Sequence, residues 1–146
     1  MERTTNRRTT EAARLDLALL LLRCASAPAF LYHGTAILFG WFGGPGPREF
    51  AASHHWPPLL AYLVGVAQVG GGLAILSGIF FRVGCASVLV VMVGAISLVH
   101  LPKGFNVVNG GAEYAFAQLL IAGVLLLLGA GRYALAFLAP QWMRKL

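Results

Sequence analysis

Apolar residues dominate four stretches of the chain, which are separated by short polar or glycine-rich segments. The stretches cover approximately residues 15–42, 57–81, 83–101 and 113–129. Each has about 17 residues or more, enough for a helix to cross a hydrocarbon layer. Backbone groups in lipid must pair within their own segment, and the alternation typical of strands is missing. The pattern predicts an all-α membrane protein, a four-transmembrane-helix bundle with short loops.

The two ends of the chain differ from this central part. Residues 1–13 are polar and are expected to form a disordered cytoplasmic N-terminus. Residues 14–132 form the predicted four-helix transmembrane domain. Residues 133–146 are apolar and end in Trp142, Arg144 and Lys145, a pattern that predicts an interfacial C-terminal helix. The very short connection around Arg82 predicts a tight antiparallel hairpin between the second and third spans.

Composition supports the bilayer as solvent and excludes other classes. The 146 residues are 58% hydrophobic and 11% charged, whereas a soluble domain carries about a quarter charged residues. The net charge of +6 does not indicate nucleic-acid binding, because the basic residues sit at the ends of apolar runs. Two cysteines, Cys24 and Cys85, exclude a disulfide scaffold. Their heights in the bilayer differ by about 10 Å, too far for a disulfide.

Lysine and arginine are distributed unequally between the two sides of the predicted bundle. With the N-terminus inside, the outer loops hold only Arg48 and Lys103. The inner side holds Arg3, Arg7, Arg8, Arg14, Arg82, Arg132, Arg144 and Lys145. This bias predicts a multi-pass protein of the inner (cytoplasmic) membrane with both termini in the cytoplasm. A cleavable signal peptide ending near Ala25–Ala27 is the alternative for the first run, but Arg23 interrupts its apolar core.

One arginine and one glutamine fall near the middle of the predicted bilayer. Arg23 lies about 13 Å above the inner boundary, counted from Arg14, and Gln68 lies about 16 Å below the outer one. Polar groups at this depth usually face the bundle interior. We therefore expect Arg23 and Gln68 to share a polar network in the membrane core. The alternative is that Arg23 points inward and bonds only to backbone or water.

Histidines and several other polar or aromatic residues gather on the predicted outer side. The set comprises His33, His54, His55, His100, Glu113, Asn106, Asn109, Lys103, Arg48, Trp41 and Trp56. Histidine can hydrogen-bond a quinone carbonyl, relay a proton or bind metal. No metal site is predicted, because no ligand spacing of the HExxH or CxxC kind is present.

Each of these residues also has a structural explanation. Glu113 opens the fourth helix, where the helix dipole stabilises a carboxylate. Asn109 would cap that helix, and Trp41 and Trp56 fit an interfacial aromatic belt. Gly70–Gly72 lies inside a helix rather than after a strand, so it indicates close helix contact and not nucleotide binding.

Several short motifs together resemble the DoxX family of small membrane proteins. They are Arg23, Phe30-Leu31-Tyr32-His33-Gly34, Phe39 to Gly46, Gly70-Gly71-Gly72-Leu73, Val99-His100, Gly104-Phe105, Asn109-Gly110-Gly111, Glu113-Tyr114 and Gly131-Arg132-Tyr133. The resemblance covers roughly residues 15–135 and implies a four-helix bundle loosely associated with oxidoreduction. Some members are small subunits of a thiosulfate:quinone oxidoreductase, and many have no assigned activity.

The chain departs from the family pattern at three places. A basic residue often follows the His-Gly pair, where this chain has residues 35–38 without charge. A glutamate often precedes the glycine triplet, where this chain has Gln68, and a carboxylate often follows Gly-Arg-Tyr, where it has Ala134. These losses favour binding or scaffolding over catalysis.

Two functions follow from the resemblance and the outer-side residues. The first is a subunit of a quinone-linked membrane oxidoreductase, with a quinone-like pocket formed by His33, Trp41, His100, Phe105, Asn109 and Glu113. The chain has no motif for a flavin, haem or iron–sulfur cluster, so another membrane subunit would carry the redox cofactor. The second is a non-catalytic accessory subunit that packs against a larger complex or against itself. A small transporter is less favoured, because four short helices offer little for a pathway.

Overall fold

The computed structural model describes residues 2–138 and residue 140, and helices account for the regular structure of this part. Five α-helices follow one another: α1 (Glu2–Phe39), α2 (Gly46–Ser53), α3 (Pro58–Ser77), α4 (Phe81–Ala95) and α5 (Glu113–Leu128). A π-helical turn, Ile96–His100, continues α4. Short 3-10 turns cover Trp41–Gly43, Leu101–Lys103, Val107–Asn109 and Leu135–Leu138.

Three helices of the described chain are long and apolar enough to cross a membrane. They are Thr9–Phe39, Pro58–Ser77 and Phe81–Lys103, the last of which includes the π-helical turn. Helix α5 is equally apolar but has 16 residues, which is about 24 Å of helix. The all-helical membrane architecture predicted from the sequence is confirmed. A fourth membrane span, formed by α5, stays a prediction.

The first helix begins earlier than the hydrophobic pattern predicts. It starts at Glu2, so residues 2–13 are helical where the polar composition led us to expect disorder. This segment contains no glycine or proline, and a helix nucleated in the apolar run can therefore extend through it at little cost. At the other end, Leu135–Leu138 forms a 3-10 turn, and Trp142, Arg144 and Lys145 lie outside the described residues.

Four helices pack in a bundle, in the order α1, α3, α4 and α5. Each helix contacts the next one, and α5 also contacts α1. The core between them includes Phe30, Ile75, Val88 and Leu125. Many apolar side chains face outward instead, such as Leu127 at 82% exposure. An apolar exterior around a small packed core is what a bilayer-embedded bundle requires.

The α3–α4 connection is the tight hairpin that the sequence predicts. Helix α3 ends at Ser77 and α4 begins at Phe81. Gly78 takes a left-handed conformation with φ of 79°, and a Cβ there would lie 2.4 Å from the Cβ of Ala134. We call this end of the bundle, with the residues 129–133 that follow α5, the turn end.

The opposite end of the bundle carries the two longer connections, residues 40–57 and 101–112, and we call it the loop end. Helix α2 folds back over it, with Ala51 buried against Ile37 of α1 and Ala61 of α3. The loop end thus contains the ends of α1 and α4 and the starts of α3 and α5.

Candidate functional site

Arg23 is the most buried charged side chain of the described chain, with 1% of its surface exposed. Its Nε donates to the carbonyl of Ile75 at 2.8 Å, and one terminal nitrogen donates to the carbonyl of Leu76. The other terminal nitrogen donates to the carbonyl of Ala130 at 3.0 Å. The guanidinium therefore satisfies carbonyls near the C-terminal ends of α3 and α5, where cations are stabilised by the helix dipole.

These contacts differ from the expected pairing of Arg23 with Gln68 and agree with the backbone-bonded alternative. Gln68 is buried and packs beside Gly34. The two residues are so close that a Cβ on Gly34 would lie 2.9 Å from the Cβ of Gln68. Gly34 is eleven residues beyond Arg23 in α1, about 16 Å of helix. Helical side chains lean toward the N-terminus of their helix, which carries the guanidinium toward the turn end and away from Gln68.

A second side chain of α1 also holds the turn end. The Oδ1 atom of Asp16 accepts a hydrogen bond from the backbone N–H of Arg132 at 3.0 Å. Asp16 and Arg23 thus bind the chain on either side of Gly131. Both contacts join the first helix to the segment that follows the last one, and they give both side chains a structural role.

A buried polar chain links α1 to α5 in the middle of the bundle. The hydroxyl of Ser26 donates to Oε1 of Gln118 at 2.8 Å, and Nε2 of Gln118 donates to the Tyr114 hydroxyl at 3.0 Å. Ser26 and Gln118 are 0% and 4% exposed. The hydrophobic pattern does not reveal this pair, although Gln118 stands out as a polar residue in an apolar helix.

At the loop end, His100 is held by the backbone of the second loop. Its Nδ1 lies 2.7 Å from the carbonyl oxygen of Gly110. The π-helical turn that closes α4 ends at His100, and such turns recur at functional sites because they displace one side chain from the regular helical positions.

The glycine pair 110–111 explains how the loop reaches His100. Gly110 has a left-handed φ of 75°. A Cβ on Gly111 would lie 2.5 Å from the carbonyl oxygen of Gly104 and 2.6 Å from the carbonyl carbon of Phe105, so a side chain there would push the loop open. The Gly110–Gly111 motif therefore allows two backbone segments to cross closely. This crossing places the carbonyl oxygen of Gly110 next to the ring of His100.

Glu113 closes the same loop from the start of α5. Its Oε2 accepts from the N–H of Val107 at 3.1 Å, and its own N–H donates to the carbonyl of Phe105 at 2.9 Å. The expected capping role of Asn109 is wrong, because Ala112 precedes α5 without a side-chain cap. The side chain of Asn106 instead accepts from Val108 and caps the turn Val107–Asn109, since it stands at the position where its carbonyl reaches that N–H.

Aromatic rings of the first loop connect to His33. Tyr32 stacks on Phe42 with ring centroids 4.8 Å apart and meets the His33 ring edge-on at 5.3 Å. Phe42 in turn meets Trp41 at 6.4 Å. Trp41 belongs to the predicted pocket, whereas Tyr32 and Phe42, which link it to the histidine, were not predicted.

The remaining loop histidines belong to a different group. His54 lies between the rings of Phe50 and Trp56, at 4.6 Å and 4.8 Å, and its Nδ1 is 2.9 Å from the Phe50 carbonyl. His55 is exposed and has a positive φ of 57°. These contacts give His54 a structural role at the end of α2.

The contacts at the loop end fall into two sets. His100 is bonded to Gly110 in the second loop, which Glu113 closes through Val107, and His33 lies beside Tyr32, which stacks on Phe42. Phe105 contributes its carbonyl, while its ring is 63% exposed. Within the described residues no group of three or more potential metal ligands forms. Cys24 is exposed and Cys85 buried, and neither is in a disulfide.

The sequence profile of the DoxX family matches residues 18–101, more than half of the chain. The chain belongs to the DoxX family. The match includes Arg23, His33 and His100 and ends before Gly110 and Glu113. The DoxX chain is also 29% identical over 120 residues to a Bacillus subtilis (strain 168) protein named "Putative oxidoreductase CatD". The aligned residues make up 82% of this chain and 85% of that protein. No solved structure matches it significantly.

Proposed function

We propose that this DoxX protein is a subunit of a membrane oxidoreductase complex and binds quinone at its loop end. The observation that supports this most directly is that the loop end carries both polar and flat apolar groups: His100 is held by the second loop, and His33 lies beside the Tyr32–Phe42 ring stack. Quinone sites need hydrogen-bonding groups for two ring oxygens and flat apolar surfaces for the ring. The name of the Bacillus subtilis relative, which contains the word oxidoreductase, agrees with this proposal.

In the proposed topology α5 is a fourth span, and both termini are cytoplasmic in the inner membrane. Arg82 and Arg132 lie at the turn end, and Arg14 lies toward the same end of α1. The loop end carries Arg48 and Lys103. The lysine and arginine bias therefore favours a turn end in the cytoplasm and a loop end on the outer face. The missing length of α5, about 6 Å of a 30 Å layer, would be made up by tilt or local thinning.

The chemistry at the pocket is binding rather than electron transfer by this chain itself. His100 and Glu113 would hold the oxygens of the ring, with His33 on the other side. Trp41 or Phe105 would pack against the ring face. Electrons would pass to or from a cofactor on a partner subunit, because side chains of this kind do not carry them.

The test is to purify the protein in mild detergent, extract its lipids and quantify bound quinone. We expect quinone near one equivalent in the wild type and at least about fivefold less in His100→Ala, because one strong hydrogen bond is worth about 1 kcal/mol or more. His55→Asn is the matched control, since it removes an exposed loop histidine and keeps a residue that tolerates positive φ. Quinone-free wild-type protein would refute the proposal.

The second candidate is a non-catalytic accessory subunit, and one observation favours it. The buried polar groups of the bundle are already paired: Arg23 with backbone carbonyls, and Ser26 with Gln118. Such a core offers stability but no proton path. A partner that co-purifies at fixed stoichiometry, with no quinone in the extract, would establish this function in place of the first.

A further inference from the structure

The second loop, residues 101–112, exposes several apolar side chains where a membrane bundle usually meets water. They are Leu101, Phe105, Val107 and Val108. Val108, in the middle of the turn Val107–Asn109, is 86% exposed. Apolar surface of this kind is unfavourable in water. These side chains therefore need an apolar environment that the described chain does not itself supply.

The backbone of the same loop is paired internally. Every backbone N–H from Val107 to Glu113 donates to an acceptor within the segment 104–113. Side chains supply the acceptors for the first two of them, Glu113 for Val107 and Asn106 for Val108. The carbonyls of residues 104–107 all accept hydrogen bonds in return. A loop in water can leave such groups to the solvent, whereas irregular backbone close to the hydrocarbon layer has to be satisfied by the protein.

The apolar surface of the loop continues the outward surface of the two helices that it joins. Leu98, in the π-helical turn before the loop, is 63% exposed, and Phe116 in the first part of α5 is 44% exposed. Helix α5 has only 16 residues, so the apolar residues directly before it extend its lipid-facing surface at the end where the helix is short. This continuity favours lipid over a protein partner as the covering of the loop.

The charges at the loop end agree with a lipid environment for the second loop. The side chain of Lys103 lies over Gly110, where a Cβ would be 3.4 Å from its Cδ and 3.7 Å from its Nζ. A lysine whose aliphatic part follows an apolar loop can place its ammonium group among lipid phosphates. Helix α2, at the same end of the bundle, instead exposes Arg48 and Glu49. The polar surface of α2 thus marks the part of the loop end that faces water.

We infer that the second loop is a membrane-inserted element, embedded in the interfacial layer of the leaflet on the loop-end side. Its apolar side chains contact the upper parts of the lipid acyl chains, and Lys103 pairs with phosphate headgroups. The side chains of Asn106 and Glu113 make this position possible, because they satisfy N–H groups that lipid would leave unpaired. The inference goes beyond the proposed function and does not depend on quinone binding.

The depth of a spin label tests this position. Val108→Cys and, as the control, Arg48→Cys are prepared in a background with Cys24 and Cys85 replaced by alanine. Both native side chains are exposed, so the label disturbs no packing. The labelled proteins are reconstituted into vesicles of phosphatidylethanolamine and phosphatidylglycerol without any other protein. Paramagnetic resonance then measures collisions of the label with oxygen, which concentrates in lipid, and with a water-soluble nickel chelate.

We expect oxygen collisions to exceed nickel collisions at position 108 and the reverse at position 48. Frequent nickel collisions at position 108, equal to those at position 48, would place the loop in water and overturn the inference. Few collisions with either reagent would mean that protein covers the loop. A second copy of the chain would then be its partner, and lipid insertion would again be overturned. Neither result depends on whether the protein binds quinone.

Asn106→Ala tests whether the internal pairing of the backbone permits the insertion. This change frees the N–H of Val108 from its acceptor, and the loop should move toward water to hydrate that group. Nickel collisions of the label at position 108 should therefore rise. Asn109→Ala removes an exposed amide from the same turn and keeps that hydrogen bond, so it should not raise them. Equal nickel collisions in the two variants would overturn the role assigned to Asn106.

Discussion

The guanidinium of Arg23 illustrates how a charged side chain is accommodated in the membrane part of this protein. It has no carboxylate partner among its described bonds and instead donates to three carbonyls from two helix ends. Arginine suits this task because its donors lie in a fixed plane and point in different directions. The same three carbonyls would otherwise be left without hydrogen bonds near the ends of α3 and α5.

Replacing Arg23 by methionine should therefore destabilise the protein strongly. Losing the guanidinium leaves three carbonyls unpaired, and we expect a loss of at least about 3 kcal/mol in the free energy of unfolding. The measurement is reversible denaturation by SDS in mixed micelles. Arg14→Met, which removes an exposed arginine from the same helix, is the control and should change stability by less than about 0.5 kcal/mol. Equal stability of the two variants would contradict the structural role of Arg23.

The Ser26–Gln118 pair predicts a non-additive pair of substitutions. Gln118→Leu alone should cost about 1 kcal/mol, because it leaves the buried Ser26 hydroxyl without its acceptor. Adding Ser26→Ala should recover part of that loss, since both buried polar groups are then gone. Thermal unfolding of the two single variants and the double variant forms the test. Strictly additive losses would show that the two side chains do not interact.

At the residue scale, the sequence predicted correctly that certain polar residues are buried. It did not predict their hydrogen-bond partners. Arg23 and Gln68 are both buried, as their depth suggested. Their heights were estimated from Cα positions, whereas the long arginine side chain leans back toward the turn end. The carbonyl partner of His100 was beyond prediction, because it depends on a backbone crossing at Gly111 that has no signature beyond the glycine itself.

At the scale of the helix, the glycine triplet separates into three environments. Gly71 faces α4, where a Cβ would lie 2.7 Å from Val88 and 2.9 Å from the Ser87 hydroxyl oxygen. Gly72 faces α1 and the carbonyl of Ala27. Gly70 has open space around it. The sequence correctly indicated close helix contact here. The orientation of α3 in the packed bundle shows which two of the three glycines form that contact.

Adjacent alanine substitutions should consequently give opposite results. Gly71→Ala forces α3 and α4 apart and should cost about 1 to 3 kcal/mol. Gly70→Ala introduces a methyl group into open space and should be neutral or slightly stabilising, because alanine favours helix over glycine. Both are measured by unfolding in SDS. A destabilised Gly70→Ala protein would mean that another surface covers this face of α3.

The ends of the helices were the least predictable elements. The hydrophobic run gave the extent of α3 within a few residues, since Pro57 and Gly78 mark both ends. The polar start of α1 and the π-helical turn before His100 were not predicted. Both follow from backbone hydrogen bonding that continues past the apolar residues, and a hydrophobicity pattern does not report it.

For the whole molecule, the sequence predicted the helical class, the family and the tight hairpin between α3 and α4, and these are confirmed. Apolar run lengths suffice for this, because lipid leaves the backbone few alternatives. The number of spans and their direction stay predictions. Helix α5 is shorter than each of the three membrane-spanning candidates of the described chain, and charge counts indicate a direction without measuring it.

Cysteine labelling would establish the direction of the bundle. In a background with Cys24 and Cys85 replaced by alanine, single cysteines are placed at His55 in the loop end and at Arg82 in the turn end. Both native residues are exposed. In intact spheroplasts a membrane-impermeant maleimide should label His55→Cys, while Arg82→Cys should react only after permeabilisation. The reverse labelling would invert the topology and place the candidate pocket on the cytoplasmic side.

The reach of Arg23 across the chain also has a consequence for biogenesis. Ala130, one of its three acceptors, is 107 residues further along and leaves the ribosome long after the first helix has entered the bilayer. Until that segment is synthesised, the guanidinium of Arg23 must be solvated by water or lipid headgroups. Packing of the segment that follows α5 thus completes the hydrogen bonds of Arg23 in the first helix, and chains truncated before α5 should be the ones that quality-control proteases remove.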